Sequence, residues 1–423
     1  MKQGLNKYAF CFLVFCAIFA PPFFKFNIMY ILCLFMGLKL LKNKKFQFCI
    51  DNKTYLLTYI CISFYAIVVV LFNELREPNI FFMNRMEFIY QFFCLIPCQF
   101  LMAIYFWSEI KQSKNQYMDM KKIIFGACDI EGVLVIISYL VPIVRQIFLN
   151  IMLKNSGNTR YSDQEFISYR AYGFADTLLD TFGYGMGLVV GLGILSKKKT
   201  KLEIITILLC SFSIIVNSRT GLAIVLVAIG IKICSVLFEK KMKINMKAIG
   251  IVCVLIVGIY FIVSSGYISS VTLSWIVAGF ESVLDFVLKK NSNYTLGSMK
   301  NSMFSKDFWT LPDSFCGKLL GTGHSCFGTY RINGVASDVG YVNYIWIMGI
   351  AGTLVLLIFI ACLFIHKIKN RKDKYEKIDL IFLMTSFFVM FIKGNIITYS
   401  AGTFITILLL MYKPKEKENN VFN

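Results

Sequence analysis

Charge is what this chain has least of. Only 16% of its 423 residues are Asp, Glu, Lys or Arg, where a soluble globular chain carries about 25%. Histidine is scarcer still, at two residues, and prolines number seven. There are 14 cysteines but no Cys-x-x-Cys pair, and only Cys316 and Cys326 fall in a long polar stretch. These shortages exclude a soluble enzyme, a disordered chain and a secreted disulfide scaffold. The Cys316, His324 and Cys326 spacing is a poor zinc signature. A Cys316–Cys326 disulfide stays open.

What fills the chain instead is apolar, at 57% hydrophobic and 16% aromatic residues. The apolar residues form blocks separated by short polar stretches. The net charge of +20 sits in clusters flanking those blocks, where it sets topology and meets anionic membrane lipids rather than nucleic acid.

A membrane-spanning helix needs about 20 largely apolar residues. Twelve blocks approach that length, near 8–21, 26–41, 54–72, 88–107, 123–142, 176–195, 202–217, 221–238, 248–264, 338–364, 379–393 and 399–412. Of the 44 Lys and Arg, 29 fall in the short intervals on one side, so that side and both termini are expected to be cytoplasmic. The first twenty residues look like a signal peptide, but Pro21-Pro22 and a second apolar block follow at once, so a retained helical hairpin is expected. The expectation is an all-α polytopic protein, one integral-membrane domain over 1–423, in a bacterial inner (cytoplasmic) membrane. Two outer loops are long, 143–175 and 265–337. Within the second, Ile276, Phe280, Val283, Leu284 and Val287 recur at helical spacing, predicting a surface helix over 275–290 that serves as a packed ledge or a lid.

Arginine is unevenly used. Eight Arg stand against 36 Lys, and all but Arg371 fall on the outer side. A guanidinium grips phosphate oxygens bidentately where Lys is a point charge, so an outer arginine set suggests a phosphate- or carboxylate-bearing ligand. Arg76 and Arg85 read as surface ion pairs with Glu74, Glu77, Glu87 or Asp163. Arg219 reads differently: it lies in Asn217-Ser218-Arg219-Thr220-Gly221, a hairpin between two apolar runs, where a charge needs an anion and the next helix offers free amides.

A second constellation runs from Gly321-Thr-Gly323-His324 through Arg331 to Ser337-Asp338-Val-Gly340-Tyr341. His324, with an ordinary imidazole pKa of ~6.5, can take a proton from a hydroxyl or can be a plain loop residue. The flanking glycines allow a ligand to approach the backbone. Asp338 reads equally as a helix cap or as a functional carboxylate. Asp176 and Asp180, four residues apart on one face of the predicted sixth helix, can bind sugar hydroxyls or pair with Arg160 or Arg170. Asp129 and Glu131 fall near the inner end of the predicted fifth helix, at or below the membrane boundary.

In this order and layout the residues resemble the Wzy-type O-antigen and capsule repeat-unit polymerases, within the wider O-antigen polymerase/ligase membrane family. The resemblance rests on Ser218-Arg219-Thr220-Gly221 leading into an apolar helix. It rests also on Gly321-x-Gly323, Ser337-Asp338-x-Gly340-Tyr341 and Gly349-Ile350-x-Gly352, and on ten to twelve helices with two long outer loops. It implies a GT-C-like helical glycosyltransferase using no metal, nucleotide sugar or other cofactor. Such an enzyme moves a growing glycan from undecaprenyl diphosphate onto a new lipid-linked repeat unit at the outer leaflet, with a chain-length regulator as a further partner. Carried onto this chain, Arg219 and Arg170 hold the diphosphate with Arg160 and Arg331 in support, His324 or Asp338 is the base, and Asp176, Asp180 and Tyr341 meet sugars.

There are departures from the pattern. The ligase branch carries a His before its last Gly-x-x-Gly helix, where this chain has Asp338, which favours polymerase over ligase. The Arg followed ten residues later by Gly, seen in some polymerases, is missing at Arg170 and Arg331. The rival of another class is a lipid-linked oligosaccharide flippase or other transporter, which would need ionisable residues in the bundle interior and roughly equal halves. A metal-dependent lipid-linked glycosyltransferase would need paired acids in the first outer loop, which here reads Pro21-Pro22-Phe-Phe-Lys25.

Overall fold

The computed structural model describes residues 7–25, 27–43, 53–76, 82–110, 113, 115–155, 171, 173–176, 179–197, 199–218, 220–238, 309–326, 337, 339–394, 396–397 and 400–413. Among them the regular structure is entirely helical. The elements are α1 (Lys7–Phe19), α2 (Ile28–Lys42), α3 (Lys53–Arg76) and α4 (Phe82–Tyr90), which passes through a π turn into α5 (Ile96–Ile110). Next come α6 (Gln116–Leu140), α7 (Pro142–Asn155), α8 (Leu179–Leu195), α9 (Lys201–Asn217) and α10 (Thr220–Phe238). The last are α11 (Phe315–Leu320), α12 (Gly340–Lys369), α13 (Lys374–Lys393) and α14 (Ala401–Leu410).

Among the described residues, five stretches are long and apolar enough to cross a membrane: Leu56–Arg76, Phe82–Ile110, Gln116–Leu140, Thr220–Leu237 and Gly340–Lys369. Tyr8–Phe19, Thr181–Leu195 and Ala401–Leu410 are apolar but shorter. Large apolar side chains such as Leu34, Leu38, Leu41, Phe64 and Phe72 point outward, as they do where the surroundings are hydrocarbon rather than water. The protein is a helical membrane protein.

The bundle is organised around α8, which packs on α9, α10, α13 and α14. Its sequence explains this. Gly183, Gly185, Gly187, Gly191 and Gly193 leave its surface without side chains, and in hydrocarbon, where helices gain little from hiding apolar area, close packing drives association. A β-carbon at Gly185 would come within 2.6 Å of the Ala401 side chain, and one at Gly187 within 2.9 Å of the Gly221 carbonyl. At Gly191 it would overlap the Phe382 ring.

Helix starts follow capping chemistry. Thr200 and Glu203 form a capping box on α9, Asp373 accepts the Tyr375 and Glu376 amides at α13, and Ser400 accepts that of Thr403 at α14.

Two segments expected to be outer loops contain helices. The segment 143–175 opens with α7: Pro142 ends α6 and starts α7, because proline forces the preceding Val141 into an extended conformation (φ −120°, ψ 96°) and is itself suited to a first helical position. The long late loop likewise contains α11, capped by Ser314 on the Gly317 amide at 3.0 Å. The expected span 248–264 and surface helix 275–290 lie outside the described residues.

Candidate functional site

Two buried polar constellations bear on the site. The first gathers around Glu131, which is fully buried in α6. A buried carboxylate is costly unless hydrogen-bonded, and this one accepts the Phe174 amide on both oxygens, each at 3.1 Å. It also accepts the Ala175 amide. Gly173 lies directly against the carboxylate, where a β-carbon would overlap it. The same short segment is held from two other sides: Asp176 donates its amide to the Phe19 carbonyl at 3.0 Å, and Asn217 Nδ2 donates to the Ala171 carbonyl at 2.7 Å. Asn217 Oδ1 is buried with no hydrogen-bond partner among the described residues. Next to it, the Ser218 and Thr220 hydroxyls bond at 2.6 Å.

This geometry corrects two expectations. Glu131 is not at the boundary of its helix: α6 starts at Gln116, which puts Glu131 in its interior. Asp176 does not share a helical face with Asp180, because it lies in an irregular segment, 173–176, whose amides donate to Glu131 and Phe19. Arg160, Arg170 and Arg219 lie outside the described residues. Arg170 adjoins Ala171 in the chain, and Arg219 is two residues past Asn217.

The second constellation surrounds a break in α12. Gly349 has φ +70° inside the helix, a conformation that strains any residue with a β-carbon. The break frees the carbonyls of the turn before it, and each of three finds a donor elsewhere, as membrane-embedded backbone must. Trp346 O accepts Thr322 N at 2.6 Å and Thr322 Oγ1 at 2.7 Å, Ile347 O accepts Gly323 N at 3.1 Å, and Met348 O accepts the Tyr65 hydroxyl at 3.1 Å. A β-carbon at Gly321 (φ +95°) would lie 2.6 Å from the Gly349 amide nitrogen. The glycines of this motif thus serve the approach of loop to broken helix.

His324 follows this docked loop and is buried. Its Nδ1 is 3.1 Å from the Thr322 carbonyl, and its ring meets Trp346 edge-on at 5.7 Å. A carbonyl only accepts, so Nδ1 carries the hydrogen and the lone pair of the neutral ring is on Nε2. Ser325 is fixed on both sides: its amide donates to Asn84 Oδ1 at 2.8 Å and its hydroxyl to Asn343 Oδ1 at 2.6 Å. Asn343 in turn donates to the Ser337 carbonyl at 2.7 Å. Asn84 and Asn343 carry no signal in the sequence beyond being polar residues within apolar runs.

Of the remaining expected site residues, Tyr341 is half-buried and donates its hydroxyl to the Phe388 carbonyl at 3.0 Å. Asp338 and Arg331 lie outside the described residues. The helix they lead to has Val339 as N-cap, with no side-chain cap bond. Cys316 is exposed and Cys326 buried, both as free thiols.

Three other buried cations have partners among the described residues. Arg85 meets Glu74 at 2.6 Å as expected, but in the interior rather than on the surface, for Arg85 is 0% exposed. Lys121 Nζ reaches Asp379 Oδ2 at 2.9 Å, and the Tyr117 hydroxyl donates to the same oxygen at 3.1 Å. Arg371 donates to the Tyr412 carbonyl at 2.7 Å and stacks over its ring.

No family model matches this chain, and no curated protein matches it significantly.

Proposed function

We propose that this protein is an oligosaccharide repeat-unit polymerase with about twelve spans, both termini cytoplasmic and a GT-C-like plan. It transfers a growing glycan from undecaprenyl diphosphate to a new lipid-linked repeat unit at the outer leaflet of a bacterial inner membrane. The observation that carries the reading is the 2.7 Å bond from Asn217 to the Ala171 carbonyl. It ties together the two chain positions that Arg170 and Arg219 adjoin, 49 residues apart in sequence. Arginine is the residue type that grips a diphosphate bidentately, and one follows or precedes each end of that bond within two residues in the chain.

In the reaction, an acceptor sugar hydroxyl loses its proton to a base as its oxygen attacks the anomeric carbon of the growing chain. The bond from that carbon to the diphosphate oxygen breaks, and undecaprenyl diphosphate leaves with the bonding pair. Arg170 and Arg219, with Arg160 and Arg331, neutralise the charge that grows on the leaving group. His324 suits the base, with its Nε2 lone pair fixed by the Nδ1 bond; Asp338 is the other candidate. Asp176 and Asp180, close in sequence to Arg170, and Tyr341, close in sequence to Asp338, are the candidates to hold sugars.

The test is Arg219→Ala in cells lacking the native protein. It is expected to abolish chain extension while the protein stays membrane-inserted, and full extension would overturn the phosphate site.

A lipid-linked oligosaccharide transporter is the second reading, and specific observations favour it. Glu131 and the Lys121–Asp379 pair put ionisable groups inside the bundle, and α12 is broken at Gly349. Both features recur where membrane proteins move polar solutes.

A further inference from the structure

An apolar cavity of about 380 Å³ lies between α3, α5, α12, α13 and α14 and shares no lining residue with either polar constellation. Waters stay in a cavity only where polar groups hold them. Here the walls are residues such as Leu56, Phe100, Phe359, Leu363 and Ile407. The lining hydroxyls of Thr403 and Thr406 are already donated to the carbonyls of Ile396 and Gly402. The chemistry of the wall calls for a hydrocarbon occupant.

Its length and its ends narrow the choice. Along α12 the lining runs from Leu356 to Lys367, about 16 Å at 1.5 Å per residue. That is roughly half of a ~30 Å hydrocarbon core, the depth of a single leaflet. At the far end the wall contains His366 and Lys367. The chain continues there with Lys369, Arg371, Lys372 and Lys374; the acids beside them are Asp373 and Glu376, the latter 3.8 Å from Arg371 Nε. Lys367 is largely buried and lines this wall, and a long cation at such a place can bridge hydrocarbon and headgroup.

We propose that this cavity binds one acyl chain of an anionic phospholipid from the leaflet on the Lys367 side, with the lipid phosphate against the basic turn at 366–374. The site is independent of the polymerase reading: it uses other residues and a ligand that is not consumed.

The test reconstitutes the full-length protein in phosphatidylcholine nanodiscs with a trace of phosphatidylglycerol carrying a photoreactive diazirine on its acyl chain. Labelled peptides are mapped by mass spectrometry. The expected labels fall in 356–367 and 403–411 and are displaced by unlabelled phosphatidylglycerol but not by added phosphatidylcholine or inorganic phosphate. Lys367→Gln is expected to weaken that competition about fivefold. Leu363→Trp, which fills the cavity, should remove the specific label while labels on the outward face of α2 persist. Should that variant fail to insert, Lys367→Gln still decides the matter. Labels confined to outward-facing surfaces would overturn the proposal, as would equal displacement by phosphatidylcholine, displacement by phosphate alone, or an unchanged response in Lys367→Gln.

Discussion

Glu131 and Phe174 are joined by a carboxylate that takes one backbone amide on both of its oxygens, each at 3.1 Å, deep inside the helical bundle. A side chain from α6 thereby does for the 173–176 segment what a strand partner or water would do elsewhere, satisfying amides that have no water to turn to. The segment it fixes follows directly on Arg170 in the chain.

Removing that carboxylate should therefore be felt well beyond one side chain. Glu131→Leu leaves the Phe174 and Ala175 amides buried without acceptors, and is expected to cost about 3 kcal/mol or more. Glu131→Gln keeps one carbonyl oxygen and should cost less. The midpoint of thermal unfolding in detergent, compared across the two variants, checks the order; equal midpoints for both and wild type would deny Glu131 its anchoring role.

Gly349 and Gly230 make a matched pair of helix glycines with opposite expectations. A β-carbon at Gly349 would overlap the Leu319 carbonyl and sit at φ +70°, so Gly349→Ala should lower stability by about 1–3 kcal/mol from backbone strain alone. At Gly230 nothing lies within 4 Å of an added β-carbon. Gly230→Ala should be neutral or stabilising by up to about 1 kcal/mol, since alanine is the better helix former. The same unfolding assay separates them.

The contact between α8 and α13 can be tested as a pair. Gly191→Ala places a methyl group in the space of the Phe382 ring and should destabilise. In a Phe382→Ala background the methyl finds room, so the penalty should shrink or vanish, with a coupling of about 1–3 kcal/mol. Additive losses would show that the two helices part without this contact.

Every apolar block read from the sequence that falls among the described residues coincides with a helix, because a run of apolar residues long enough to cross hydrocarbon has few other structures open to it. The departures have local causes. α7 was not legible because Arg145, Gln146 and Asn150 interrupt it and it is too short to span. The start of α6 was misplaced because Lys121 and Lys122 look like the end of an apolar run, whereas Lys121 is neutralised inside the bundle by Asp379. That error carried Glu131 to the helix end and hid its role. A lone glutamate in an apolar run was the available signal. Of the site, the approach of glycine-rich loop and helix was visible in Gly321, Gly323 and Gly349, but its object was not: spacing shows that backbone comes close, not to what. Asn84 and Asn343 became meaningful only when the fold set them against Ser325.

The central claim, that the protein extends a lipid-linked glycan, meets its most direct test in the surface polysaccharide of a strain lacking it, run on a gel. The account predicts that the ladder of chain lengths collapses to a single repeat unit and returns on complementation. An unchanged ladder would contradict it. Loss of even the single unit would favour the transporter, and polymer retained on its lipid carrier would favour the ligase.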